Sequence, residues 1–131
     1  MILFILQNAY KSEKYKFNNN EEWHSELMRS HTGRRLSEMV PNNADCRVIN
    51  STPKIGDDAK SCYGYDAKHI KKWIDIIKPD VICACGKVAQ SGCENIGVSF
   101  IRAPHPAWRQ LSKEITSKIR QDITASVRDV C

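Results

Sequence analysis

At 131 residues, 41% hydrophobic and 27% charged, the chain has room for one domain around a single core, which excludes wholesale disorder and leaves little length for accessory layers. Twenty Lys and Arg against 15 Asp and Glu, a formal net charge of +5, suit a polyanionic partner without demanding one and argue against an acidic mimic of DNA. The longest apolar run, Met1 to Leu6, is too short to span a bilayer and carries no basic leader or cleavage site, so an intracellular protein without a membrane segment is expected.

Met1 to Gln7 (MILFILQ) is an apolar run closed by a polar residue, the pattern of a strand buried on both faces of a parallel sheet, and it delivers Asn8 to the strand's carboxyl end. Residues 11–20 are polar and Asn-rich, a loop. Glu21 to Val40 has helical spacing, with a break expected near Thr32–Gly33, Leu27, Met28, Leu36, Met39 and Val40 facing inward, and Pro41 as the stop. Cys46 to Asn50 (CRVIN) is a second strand, again with a polar end. Ser51 to Gly64 holds Pro53, Gly56 and Gly64 without helical period, and a loop of that length is often functional.

From Tyr65, the spacing of Ile70, Trp73, Ile74 and Ile77 marks a helix face, with Lys68, Lys71, Lys72 and Lys78 mostly on the other side and Pro79 as the stop. Asp80 to Cys85 (DVICAC) is a third strand, Gly86 opens a short helix through Ala89 and Cys93, and Gly97 to Arg102 is a fourth strand leading to His105. A last helix runs from about Trp108 to Val130, with Leu111, Ile115, Ile119 and Ile123 every four residues. Alternating strands and helices predict one domain over 1–131, a three-layer α/β/α sandwich around a central, mostly parallel four-stranded sheet.

Six cysteines, Cys46, Cys62, Cys83, Cys85, Cys93 and Cys131, form no CxxC pair, and Cys83 and Cys85 fall inside a strand, so buried thiols are expected and no metal or other cofactor.

Ligands of such sheets bind at the carboxyl ends of strands. Gln7–Asn8, Asn50–Ser51, Gly86–Lys87 and His105 all fall there. His105 sits between Pro104 and Pro106, a pattern that either stops a strand or mounts an imidazole rigidly. Asn50 either caps a turn before Ser51-Thr52-Pro53 or offers a donor and an acceptor to a ligand. Gly86 either eases a tight strand-to-helix passage or brings helix amides to a phosphate.

In order and spacing, over roughly residues 2–110, these segments resemble the uracil-DNA glycosylase superfamily. Gln7-Asn8-Ala9-Tyr10 is similar to its water-activating motif, Asn50 falls where its base-reading Asn lies, Gly86-Lys87-Val88-Ala89-Gln90 is similar to its glycine-and-Ala-Gln helix start, and His105-Pro106-Ala107-Trp108-Arg109 resembles its His-Pro loop. Three positions depart from the pattern: Leu6 in place of Gly, Ala9 in place of Pro, and Ala107-Trp108 in place of Ser-Pro. The superfamily's iron–sulfur branches carry a cysteine pair ahead of the first motif, whereas the first cysteine here is Cys46, so no cluster is expected.

The resemblance implies a glycosylase that flips uracil or a related modified pyrimidine out of DNA and hydrolyses its N-glycosidic bond, acting as a monomer. Asn8 and His105 would be catalytic: Asn8 orienting a water, since an amide takes no proton near neutral pH, and His105 donating to the departing base. Gln7 and Asn50 would bind the base, with Tyr10, Phe17 and Trp23 as stacking candidates and Phe17 preferred. Gly86, Lys87 and Gln90 would receive a DNA phosphate, and Trp108 and Arg109 would wedge into the duplex. Two other readings of the same residues are a non-catalytic protein that binds DNA or a modified base, and a hydrolase of free nucleotides or nucleosides.

Overall fold

The computed structural model describes residues 1–10, 27, 29–41, 44–57, 62–106 and 110–130, with the backbone alone at Tyr10 and 127–130. In chain order its elements are β1 (Ile2–Leu6), β2 (Ala9–Tyr10), α1 (His31–Met39), β3 (Cys46–Asn50), β4 (Ile55–Gly56), α2 (Ala67–Ile77), β5 (Val81–Cys85), α3 (Lys87–Ile96), β6 (Ile101–Ala103) and α4 (Lys113–Val130).

Every side chain of β1 is buried, as the unbroken run ILFIL requires of a strand covered on both faces. It pairs in parallel with β3, Ile2 to Leu6 against Cys46 to Asn50, and with β5, Ile2 to Ile5 against Val81 to Ala84. β6 adds in parallel to the far edge of β5, giving the order β3-β1-β5-β6. The pleat then sorts the core by parity. Ile2, Phe4, Leu6, Val48, Cys83, Cys85 and Ala103 meet Leu36 and Met39 of α1 and Ile119 and Ile123 of α4. Leu3, Ile5, Ile49, Ile82 and Ala84 meet Ile70, Trp73 and Ile74 of α2 and Ala89 and Cys93 of α3. The result is an α/β/α sandwich.

Local chemistry moves several boundaries away from the sequence expectation. The first helix breaks at Ser30, not at Thr32–Gly33: the Ser30 hydroxyl donates to the Leu27 carbonyl at 2.6 Å and accepts from the Gly33 amide at 3.2 Å. An N-cap hydrogen bond thus outweighs the glycine, which is carried inside α1 and buried. The second helix begins at Ala67 because the Asp66 carboxylate accepts from the His69 amide at 3.2 Å. The fourth strand is confined to Ile101–Ala103, since Gly97 takes a left-handed C-cap conformation and Val98 bonds back to Cys93, so residues 97–98 close α3.

The last helix starts at Lys113, five residues beyond Trp108, where the Ser112 hydroxyl accepts from the Ile115 amide at 3.3 Å. The expected loop from Ser51 contains β4, which pairs in parallel with β2. Two residues on each side are too few to leave a periodic trace. Met28 and the 11–20 loop lie outside the described residues. Among the described residues, no helix is long and apolar enough to cross a membrane.

Candidate functional site

The strand pairing places Asn50 beside Leu6, and Cys85 beside Ala103, so the segments leaving β3, β1, β5 and β6 emerge along one edge of the sheet. Asn50 shares its pleat parity with Val48, hence with the face that carries Leu6, Cys85 and Ala103. Its side chain is buried, 4% exposed, and among the described residues neither its Nδ2 nor its Oδ1 has a hydrogen-bond partner. A buried amide without partners costs folding free energy on the order of 1–3 kcal/mol. Ser51, which follows it, is well held: its amide and hydroxyl donate to the Leu6 carbonyl at 2.8 and 2.5 Å.

Gln7 and Asn8 act together on one residue. Gln7 Nε2 donates to the Tyr63 carbonyl at 3.2 Å, and the Tyr63 amide donates to Asn8 Oδ1 at 3.2 Å. Asn8 Nδ2 also donates to the Ala9 carbonyl at 3.0 Å. With the Asp66 amide donating to the Ser51 carbonyl at 2.8 Å, residues 63–66 are strapped across the ends of β1 and β3. Neither the strap nor Tyr63 was legible in the sequence, because the Tyr63 backbone is held by side chains 56 and 55 residues away.

On the other side, Gly86 joins β5 to α3 at φ 90°, ψ 166°, and its amide donates to the Ala103 carbonyl at 2.8 Å. A Cβ on Gly86 would stand 3.6 Å from the His105 Cβ and 3.9 Å from its Cδ2, so the imidazole lies directly against this turn. Burial lowers the His105 pKa below its ordinary 6.5, which keeps the ring neutral at pH 7 with one N–H to donate. The loop is anchored by the buried Pro106, whose carbonyl accepts from Arg35 Nη1 of α1 at 2.8 Å. Arg35 is another contributor that sequence reasoning missed, since no local pattern marks a contact over 71 residues.

Gln90 has a framework position: its Nε2 donates to the Ala103 and Ala84 carbonyls at 3.0 and 3.4 Å, and its Oε1 accepts from Arg102 Nη1 at 3.1 Å. It braces the ends of β5 and β6 from within. Lys87 is exposed at the start of α3. Phe17, Trp23, Trp108 and Arg109 lie outside the described residues, as does the side chain of Tyr10.

His69 is a second imidazole at this edge. Burial lowers its pKa, and Lys72 adds to that, against upward pulls from Asp66 and from a hydrogen bond with the backbone of Asn50. Among the described residues no three His, Cys, Asp or Glu side chains gather as a metal site would require. No family model, curated protein or solved structure matches the chain, and the functional reading therefore rests on the chemistry of these strand ends and the motif resemblance.

Proposed function

We propose that the chain is a monofunctional DNA glycosylase that hydrolyses the N-glycosidic bond of uracil or a related modified pyrimidine. The observation that carries this reading is the Asn50 amide, buried at the carboxyl edge with neither polar atom partnered among the described residues. A flipped pyrimidine presents one donor and one acceptor to such an amide, which recovers the hydrogen bonds that folding left unmade.

In the reaction, the oxygen of a water bonds to the sugar's anomeric carbon. The carbon–nitrogen bond breaks with its electron pair going to the base, and the water's proton passes to solvent or to the base. The neutral His105, set against Gly86 and anchored through Pro106, donates a hydrogen bond to the carbonyl oxygen on which negative charge develops. Asn8 Oδ1 accepts from the Tyr63 amide, and the role assigned to Asn8 is to orient the water.

The test is excision of uracil, 5-hydroxymethyluracil and mismatched thymine from labelled oligonucleotides, single-stranded and opposite G or A. Wild type is expected to leave abasic sites, and Asn50→Ala and His105→Ala to lower the rate at least a hundredfold, the usual worth of one preorganised donor. Intact substrates throughout would overturn the reading.

One observation favours a second reading, a protein that binds the base without cleaving it. Asn8 is already committed to Tyr63 and Ala9, so the residue assigned to the water is part of a structural clamp. Under that reading uracil-containing oligonucleotides are retained uncleaved, and Asn8→Ala loosens the 63–66 strap, seen as faster hydrogen exchange at the Tyr63 amide.

A further inference from the structure

α1 and α4 pack on the same face of the sheet; α1 lies between the parallel strands β1 and β3, and α4 follows β6, so their N-terminal turns lie at the same edge as the strand ends. Between these turns is a groove of about 330 Å³, lined by His31, Arg34, Arg35 and Glu38 of α1 and by Ser112, Lys113 and Thr116 at the start of α4, over a floor that includes Leu111. Its charge is positive, three cations against one carboxylate. That carboxylate, Glu38, accepts from the Thr116 hydroxyl at 3.2 Å. Arg34 and Lys113 are exposed, and among the described residues neither side chain has a carboxylate partner within salt-bridge distance.

Arg35 links this groove to the candidate site, because the same guanidinium that lines it holds the Pro106 carbonyl next to His105. A strand whose nucleotide is drawn toward His105 therefore has its flanking backbone directed over a positively charged concavity. The groove is polar and positively charged, so it suits a chain of phosphates better than an apolar peptide or a flat base. The amides of the two helix starts add the positive ends of two dipoles to these cations.

We infer that the α1/α4 groove binds backbone phosphates of the nucleic-acid strand on one flank of the reacting nucleotide, with Arg34 and Lys113 as the phosphate contacts and Arg35 as a positioning residue that couples the groove to the His105 loop. The inference rests on the nucleic-acid reading of the site and names a surface that the resemblance does not assign.

The experiment measures binding of a plain and a uracil-containing single-stranded oligonucleotide across a salt series, for wild type, Arg34→Gln/Lys113→Gln, and the control Lys68→Gln/Lys71→Gln, which removes the same charge from the exposed side of α2. All four substituted positions are exposed, and circular dichroism checks that each variant is folded. The expected result is a salt-dependence slope reduced by about 0.7 for each of Arg34 and Lys113, a raised KM with kcat at saturating oligonucleotide unchanged, and wild-type behaviour from the control. An unchanged slope in Arg34→Gln/Lys113→Gln, or an equal loss in the control, overturns the groove while leaving the glycosylase reading intact. A reduced slope in a protein that excises no base upholds the groove and removes the glycosylase. No retention of either oligonucleotide by wild type at low salt overturns both.

Discussion

An amide offers two donors and accepts through two lone pairs, and burying one at Asn50 without partners among the described residues costs folding free energy. Asn50→Leu replaces it with an apolar side chain of similar size. The variant is expected to be more stable by about 1 kcal/mol in urea unfolding and to lose uracil-specific binding entirely; a destabilised Asn50→Leu would mean that the amide is satisfied inside the fold. His105 ties stability to pH. Its folded pKa lies below the 6.5 of the unfolded chain, so between those values the unfolded state binds more protons, and stability rises with pH across that window and is lost as pH falls through it. His105→Gln should flatten this rise in unfolding midpoints measured from about pH 5 to pH 7, leaving the part contributed by His69, whose pKa is lowered too. Asn8, Asn50 and His105 were recognisable from the chain because polar residues that close apolar runs stand out. That Asn8 would grip Tyr63 was not, since nothing local distinguishes a water-holding amide from one bonded to a distant backbone.

Gly92 shows how element packing depends on a missing methyl group. A Cβ there would lie 2.5 Å from Ile70 Cδ1 and 3.2 Å from Tyr65 Cβ, and Ile70 is itself fully buried in the core cluster that α2 and α3 share. Gly92→Ala gains helix propensity but should destabilise by about 1–2 kcal/mol net, read from the denaturation midpoint, because overpacking costs more than the propensity returns. Lys78 offers the opposite change. It ends α2 in the left-handed region at φ 51°, so Lys78→Gly is expected to stabilise by roughly 0.5–1 kcal/mol in the same assay. Helix faces such as Ile70, Trp73, Ile74 and Ile77 were legible from spacing, whereas the start of α4 at Lys113 was not. It depends on a Ser112 cap with a single 3.3 Å bond.

Across the molecule, thiol chemistry should report the state of the core. Cys62 is exposed, Cys83, Cys85 and Cys93 are buried, and burial, with Cys83 and Glu94, pushes the Cys93 thiol up to about 11. Alkylation near neutral pH is expected to modify Cys62 within minutes and to reach Cys83, Cys85 and Cys93 only at the rate of global unfolding. Fast labelling of Cys93 would show that α3 detaches from the sheet on its own. The sequence by itself determined the layered α/β architecture and the polar residues at the strand ends, because a parallel sheet covered on both faces demands apolar runs and those runs must end where the chain meets water. Only the tertiary structure decided which of these residues act together. Gln7 and Asn8 were drawn to Tyr63, Gln90 to the β5 and β6 carbonyls, and Arg35 to Pro106, since side-chain hydrogen bonds to distant backbone follow from three-dimensional proximity and leave no period in the chain.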